Sequence, residues 1–179
     1  MQPGPIILPY KGVYPTIAED AFIAPGAVII GDVEIGSGSG VWFACVLRGD
    51  VAPIRVGENT NIQDGTIVHV ARDNGPCLIG SGITIGHKAL VHACTLEDGS
   101  FVGMGAIVMD FTVVQTGAMV AAGAMVTPKK KVPTGELWGG RPAKYMRDLS
   151  EQDLAGFGPQ TDHYRNLAAT YRHGLGQGS

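Results

Sequence analysis

The chain has 179 residues, with 13 Lys and Arg against 16 Asp and Glu and a formal charge of −3. That balance excludes the basic footprint of a nucleic-acid or anionic-membrane binder, and an apolar fraction of 45% excludes a disordered chain. Only 16% of the residues are charged, so the chain buries much of its surface or covers part of it with another subunit.

The first ten residues, MQPGPIILPY, lack the charged start and long apolar run of a secretory leader and read as a lead-in. No apolar run approaches the ~20 residues of a membrane span. Cys45, Cys77 and Cys94 form no CxxC pair, and an odd number of cysteines points to a reducing compartment, with the cytoplasm as the default.

From Ile17 an aliphatic residue recurs every six positions. The runs are Ile17 to Leu47, then Val56, Ile62 and Val68, then Ile79, Ile85 and Val91, and finally Leu96 to Val132. The fifth position of most hexads is small, as at Ala27, Cys45, Ala89, Ala106 and Ala124. A period of six fits no helix. It suits an all-β parallel β-helix, with one short strand per hexad, three hexads per triangular coil and aliphatics filling the inside. About nineteen hexads give about six coils, so residues 1–140 read as one β-helix domain with its lead-in. The frame slips by three residues around Val51-Ala52-Pro53 and by five around Ala71 to Gly75, which predicts loops leaving the coil at both places.

Residues 141–179 read as a turn, helices and a tail. Gly139-Gly140-Arg141-Pro142-Ala143 is the turn. Ser150 caps a first helix, with Glu151 and Asp153 behind it. Pro159 ends that helix, and Thr161 caps a second through about Arg172. Tyr164, Leu167, Ala168 and Tyr171 make one apolar stripe that lies against a β-helix. GLGQGS is a loose tail.

The repeat also places three histidines. Val68 and Val91 are three slots apart, one full coil, so His69 and His92 stack in one outward column with Arg48 one coil below. His87 falls on another face, in the column of Asp64 and beside Gln63. A threefold packing of prisms brings the two faces together across a subunit boundary. Three imidazoles with an open position form the ligand set of a catalytic zinc. An Arg48–Asp64 pair would set the register of such a trimer. His163 and His173 read as solvated surface residues.

Arg48-Gly49-Asp50, Asn61-Ile62-Gln63-Asp64, His69, Thr84-Ile85-Gly86-His87, His92 and Gly103-Met104-Gly105-Ala106 together resemble the gamma-class carbonic anhydrase family over roughly residues 10 to 150. Tyr164-Arg165-Asn166 resembles a Tyr-x-Asn motif on the C-terminal helix of some members. The resemblance implies a left-handed coil and a homotrimer with a metal at each interface. It implies that His69 and His92 of one subunit join His87 of the next as ligands, and that Arg48, Asp50, Gln63, Asp64, Tyr164 and Asn166 line the site. The implied cofactor is zinc, with iron or cobalt as alternatives. The implied reaction is the hydration of carbon dioxide to bicarbonate, with no nucleic-acid or membrane partner. Some active members carry a Glu directly after the Arg-Gly-Asp triplet and an acidic loop after the first metal His. This chain has Val51 at the first place, and in Val70-Ala71-Arg72-Asp73-Asn74-Gly75 only Asp73 is acidic.

Two other functions share the pattern. Hexad β-helices occur in acyltransferases that use coenzyme A with a His as general base, and Lys129-Lys130-Lys131 could meet a phosphate. A metal-stapled trimer could instead serve as a non-catalytic scaffold or subunit of a larger complex.

Overall fold

The computed structural model describes residues 4–73 and 75–175. The hexads close into a left-handed parallel β-helix of about seven turns, followed by one C-terminal helix. Parallel rungs stack on three faces in strict register. On one face Leu47 pairs with Val68 and Val68 with Val91; on another Ile62 pairs with Ile85 and Ile85 with Val102. Each of these aliphatics points inward and is 0% exposed. Truncating one, as in Ile85→Ala, removes about 2–5 kcal/mol from a core that cannot collapse around the gap.

The stack extends one turn beyond the hexads. Ile6–Leu8, read from sequence as a lead-in, pairs in parallel with Val28, Ile29 and Ile30 and forms the first rung of its face. At the other end Trp138 takes the inward position opposite Val120. Neither end announces itself by period, because a tight bridge between Tyr10 and Val13 interrupts the first and an aromatic replaces the aliphatic in the last. Lys144–Asp148 then adds an antiparallel strand on Glu136–Gly139, which the hexad pattern did not foreshadow.

The two frame slips resolve differently. The three extra residues near Val51 form a bulge inside one extended strand, Val46–Val56: Gly49 pairs with Gly31 and Ile54 with Val33, and residues 50–53 stand out of the ladder. The strand pairs with Ile67–His69 at one end and Cys77–Ile79 at the other. The five extra residues do project: Ala71 and Gly75 bridge in antiparallel fashion around Asp73, which adopts a φ of +59°. Gly86 shows why small residues recur where coils touch, since a Cβ there would stand 2.5 Å from the Met104 nitrogen.

All three cysteines are buried and free. Burial pushes the Cys45 thiol up to about 12.

One helix, Glu151–Gly174, replaces the expected two. Ser150 caps it as anticipated, accepting from the Asp153 nitrogen at 3.2 Å while Asp153 accepts from the Ser150 nitrogen at 2.8 Å. Pro159 lies inside the helix, and the Thr161 hydroxyl, instead of capping, donates to the Phe157 carbonyl at 2.8 Å. Packing on both sides of Pro159 explains the continuity. Phe157 sits on Phe101 with ring centroids 5.1 Å apart, and Tyr164, Leu167, Ala168 and Tyr171 pack on Phe22, Trp42 and Phe43 of the chain's own solenoid. An interior proline costs about 3 kcal/mol relative to alanine. Pro159→Ala is therefore expected to raise the melting temperature by several degrees with unchanged helicity by circular dichroism. A lowered melting temperature would argue against a continuous helix. The expected tail overlaps the described residues only at Gly174 and Leu175; the rest lies outside them.

Candidate metal centre

The register places the histidines where the hexad count put them. Arg48 pairs with His69 and His69 with His92 along one face, so the three form one outward column. The imidazoles stack with centroids 5.2 Å apart, and His69 Nδ1 lies 3.2 Å from His92 Nε2. His87 follows the rung Thr84–Ile85, which belongs to the other sheet. Among the described residues no three His, Cys, Asp or Glu side chains of one chain converge on a point that could hold a metal ion.

Every one of these imidazoles is held by a carboxylate on one nitrogen. His69 Nε2 is 3.0 Å from Asp50, His92 Nδ1 is 2.6 Å from Asp110, and His87 Nδ1 is 2.8 Å from Asp64. Burial works against the charge on Asp50, but the His69 hydrogen bond and the neighbouring Arg48 outweigh it and hold the carboxyl below its usual range. An ionised carboxylate accepts only, so each neutral imidazole carries its proton on the carboxylate side. The other nitrogens, His69 Nδ1, His92 Nε2 and His87 Nε2, then present lone pairs.

Two of those lone pairs face each other at 3.2 Å, a repulsive arrangement unless a cation lies between them. Tetrahedral ligands at about 2.0–2.1 Å from zinc stand about 3.3 Å apart. The donor set and its spacing fit a divalent metal, and the carboxylates are the outer partners that fix ligating histidines.

The other face is built around Gln63, which is 3% exposed. The Asn61 amide nitrogen donates to Thr84 Oγ1 at 2.9 Å and to the Ile83 carbonyl at 3.4 Å. The Asn61 oxygen must therefore accept, and it takes the Gln63 Nε2 at 3.0 Å. That leaves the Gln63 oxygen free as an acceptor. Tyr164 of the helix brings its hydroxyl to 3.2 Å from His87 Nε2, and burial and then the charge of Asp64 raise its ionisation above the ordinary value. Tyr164 thus stays a donor.

Not every expected residue joins. Asn166 is exposed, since residues two apart on a helix point to nearly opposite sides. Arg48 and Asp64 lie on different faces, as the hexad count placed them; within the single chain Arg48 pairs with Asp50 and Asp64 with His87. Asp110, Asn61 and Thr84 were not singled out as site residues. Asp110 was findable, because the hexad count puts it opposite Ala93, one coil above the histidine column.

No protein-family model matches the chain. It is 51% identical over 159 residues to gamma carbonic anhydrase 2, mitochondrial, of Arabidopsis thaliana, covering 86% of this chain and 57% of that protein. It is 44% identical over 149 residues to a carbonic anhydrase of Geobacillus kaustophilus, covering 83% of this chain and 81% of that protein. The chain belongs to the gamma carbonic anhydrase family. It spans less than two thirds of the length of the plant members it matches. In structure it is similar to a hexapeptide transferase family protein of Anaplasma phagocytophilum, with a TM-score of 0.90 and 48% identity over 93% of this chain and 98% of that one. Family membership gives the stacked histidines a context that the isolated chain does not complete.

Proposed function

We propose that this chain is a trimeric, metal-dependent carbonic anhydrase that interconverts carbon dioxide and bicarbonate. The observation that carries the reading is the pair of facing lone pairs at 3.2 Å, with the third carboxylate-held histidine on another face. His69 and His92 of one subunit and His87 of the next would hold the metal, zinc in the first instance with iron or cobalt as alternatives. When bound, the metal would supply Lewis acidity and a water acidified toward pH 7. The chain's own residues do the rest. The Gln63 oxygen accepts a hydrogen bond and orients the nucleophile, Arg48 attracts the bicarbonate anion, and Asp50, Asp64 and Asp110 hold the imidazoles.

Support for a trimer comes from the flank of the histidine column. Val46, Ile67, Leu90, Ile107 and Met125 form a continuous outward apolar stripe, with Ile67 44% exposed in the single chain. Packing unlike faces in a closed ring covers that stripe and completes the ligand set. Among the described residues no helix is long and apolar enough to cross a membrane. The three free cysteines favour a reducing compartment, with the cytoplasm as our assignment.

The scaffold reading keeps one specific support: Val51 and the nearly acid-free loop at Asp73 offer little for proton export. Solution mass, elemental analysis and a stopped-flow hydration assay test both. The expected result is a trimer with about one metal per chain that hydrates carbon dioxide faster than the metal-stripped protein. A stable metal-loaded monomer would overturn the shared site, and a loaded trimer without hydration would favour the scaffold.

A further inference from the structure

The last turn of the solenoid differs electrostatically from the rest. Between Thr127 and Arg147 lie six cations, Lys129, Lys130, Lys131, Arg141, Lys144 and Arg147, against the single acid Glu136, in a chain whose net charge is −3. Arg147 is committed to Asp153 at 2.7 Å. Among the described residues no carboxylate lies within salt-bridge reach of the four lysines.

This end also holds a cavity of about 440 Å³, lined by Thr127, Lys130, Trp138, Pro142, Lys144 and Tyr145 among others. It sits at the C-terminal end of the solenoid, beside the last strands. Trp138 fills the inward position of the last rung, and Tyr145 is its partner on the antiparallel strand. Both aromatics are fixed by their polar tips: the indole nitrogen donates to Glu136 at 2.7 Å, and the tyrosine hydroxyl donates to Asp148 at 3.1 Å. The two nearby carboxylates are thus engaged in orienting rings. Among the described residues no acid lines the cavity itself.

A cavity of this size suits a small organic ligand. Aromatic walls favour a planar π-system, and unpaired lysines favour phosphate oxygens. Inorganic phosphate alone would leave the rings uncovered, and an uncharged ring would leave the lysines unpaired. We propose that this cavity binds a nucleoside phosphate, with its base against Trp138 and Tyr145 and its phosphates between Lys130 and Lys144. Thr127 lies two rungs above His92 in the same column, but none of the residues that line this cavity has a part in the hydration reading.

The test is titration of the full chain with adenosine diphosphate at about 0.15 M salt, where weak surface attraction is screened. The chain has 2 tryptophans, and Trp42 is buried, so Trp138 is the reporter. Saturable fluorescence quenching is expected, and it should vanish in Trp138→Phe, where calorimetry still detects weakened binding. The double variant Lys130→Ala/Lys144→Ala should bind at least tenfold more weakly with an unchanged hydration rate. Adenosine and pyrophosphate should each bind at least tenfold more weakly than the diphosphate. The proposal falls if neither method detects saturable binding. It falls if pyrophosphate matches the nucleotide and Trp138→Phe changes nothing, which is charge attraction only. It also falls if sedimentation shows copies associating through this end and the nucleotide does not bind.

Discussion

On the proposed shared metal site, His92→Ala is expected to abolish metal binding and to loosen the trimer. His92 shares its Nε2 with the facing His69 and is held from behind by Asp110, so no neighbouring group can take over its position. Removing an outer-shell partner of a ligating histidine typically weakens metal affinity about 10- to 100-fold. Removing the ligand itself should cost at least the upper end of that range. Because the metal would bind only the assembled state, its loss withdraws the linked stabilisation and makes the melting temperature fall with dilution. Asp110→Asn is the graded control and should retain metal with reduced affinity. His173→Ala, an exposed helix residue, should change neither quantity. Metal content and melting temperature in His92→Ala equal to those of the parent would rule out a site shared across subunits.

The second large effect concerns rate. On the proposed hydration reading each cycle releases one proton, and position 51 and the loop after His69 offer little to carry it away. Val51 is 45% exposed beside Asp50, and Asp73 is the only acid in the loop after His69. Positioned acid–base groups contribute about 10²–10⁴-fold to proton-transfer steps. Imidazole buffer should therefore accelerate the metal-loaded protein at least about tenfold. Val51→Glu should do the same at low buffer and little at high buffer. Both gains should be greatest near neutral pH, where hydroxide is scarce. If the loaded protein is inactive at every buffer concentration, slow proton export is not the explanation and the scaffold reading leads. If it is already fast in weak buffer, a carrier exists on the chain, and Asp73→Asn is the variant that should abolish it.

Most of the solenoid was legible because its inward residues obey one rule of spacing. Counting slots from Val68 to Val91 was enough to stack His69 on His92, and the observed register agrees. What escaped was whatever the rule does not cover. Ile6–Leu8 forms a rung outside the hexad frame, and Trp138 keeps the frame but is aromatic where the rule asks for an aliphatic. Pro159 is a local signal for a helix end, but docking of Phe157 and of the Tyr164 stripe on either side overrides it. The bracing of Gln63 by Asn61 and Thr84 depends on side-chain directions across two adjacent coils, which spacing alone does not specify. The intrachain pairing of Arg48 with Asp50, two residues away on its own strand, is another contact that spacing alone does not specify.

Seven stacked rungs also dictate how the molecule comes apart. Apart from the helix, which lies along one face from Phe101 to Phe22, each turn touches only the turn above and below it, so opening propagates from the ends like a zipper and not in one cooperative step. The histidines occupy the fourth and fifth rungs of their faces, near the middle of the stack. Amide hydrogen exchange should therefore follow a gradient. Protons near Ile7 and Trp138 exchange first, and those of Val68, Ile85 and Val91 exchange last, so ligand geometry outlives much of the surrounding coil under mild denaturation.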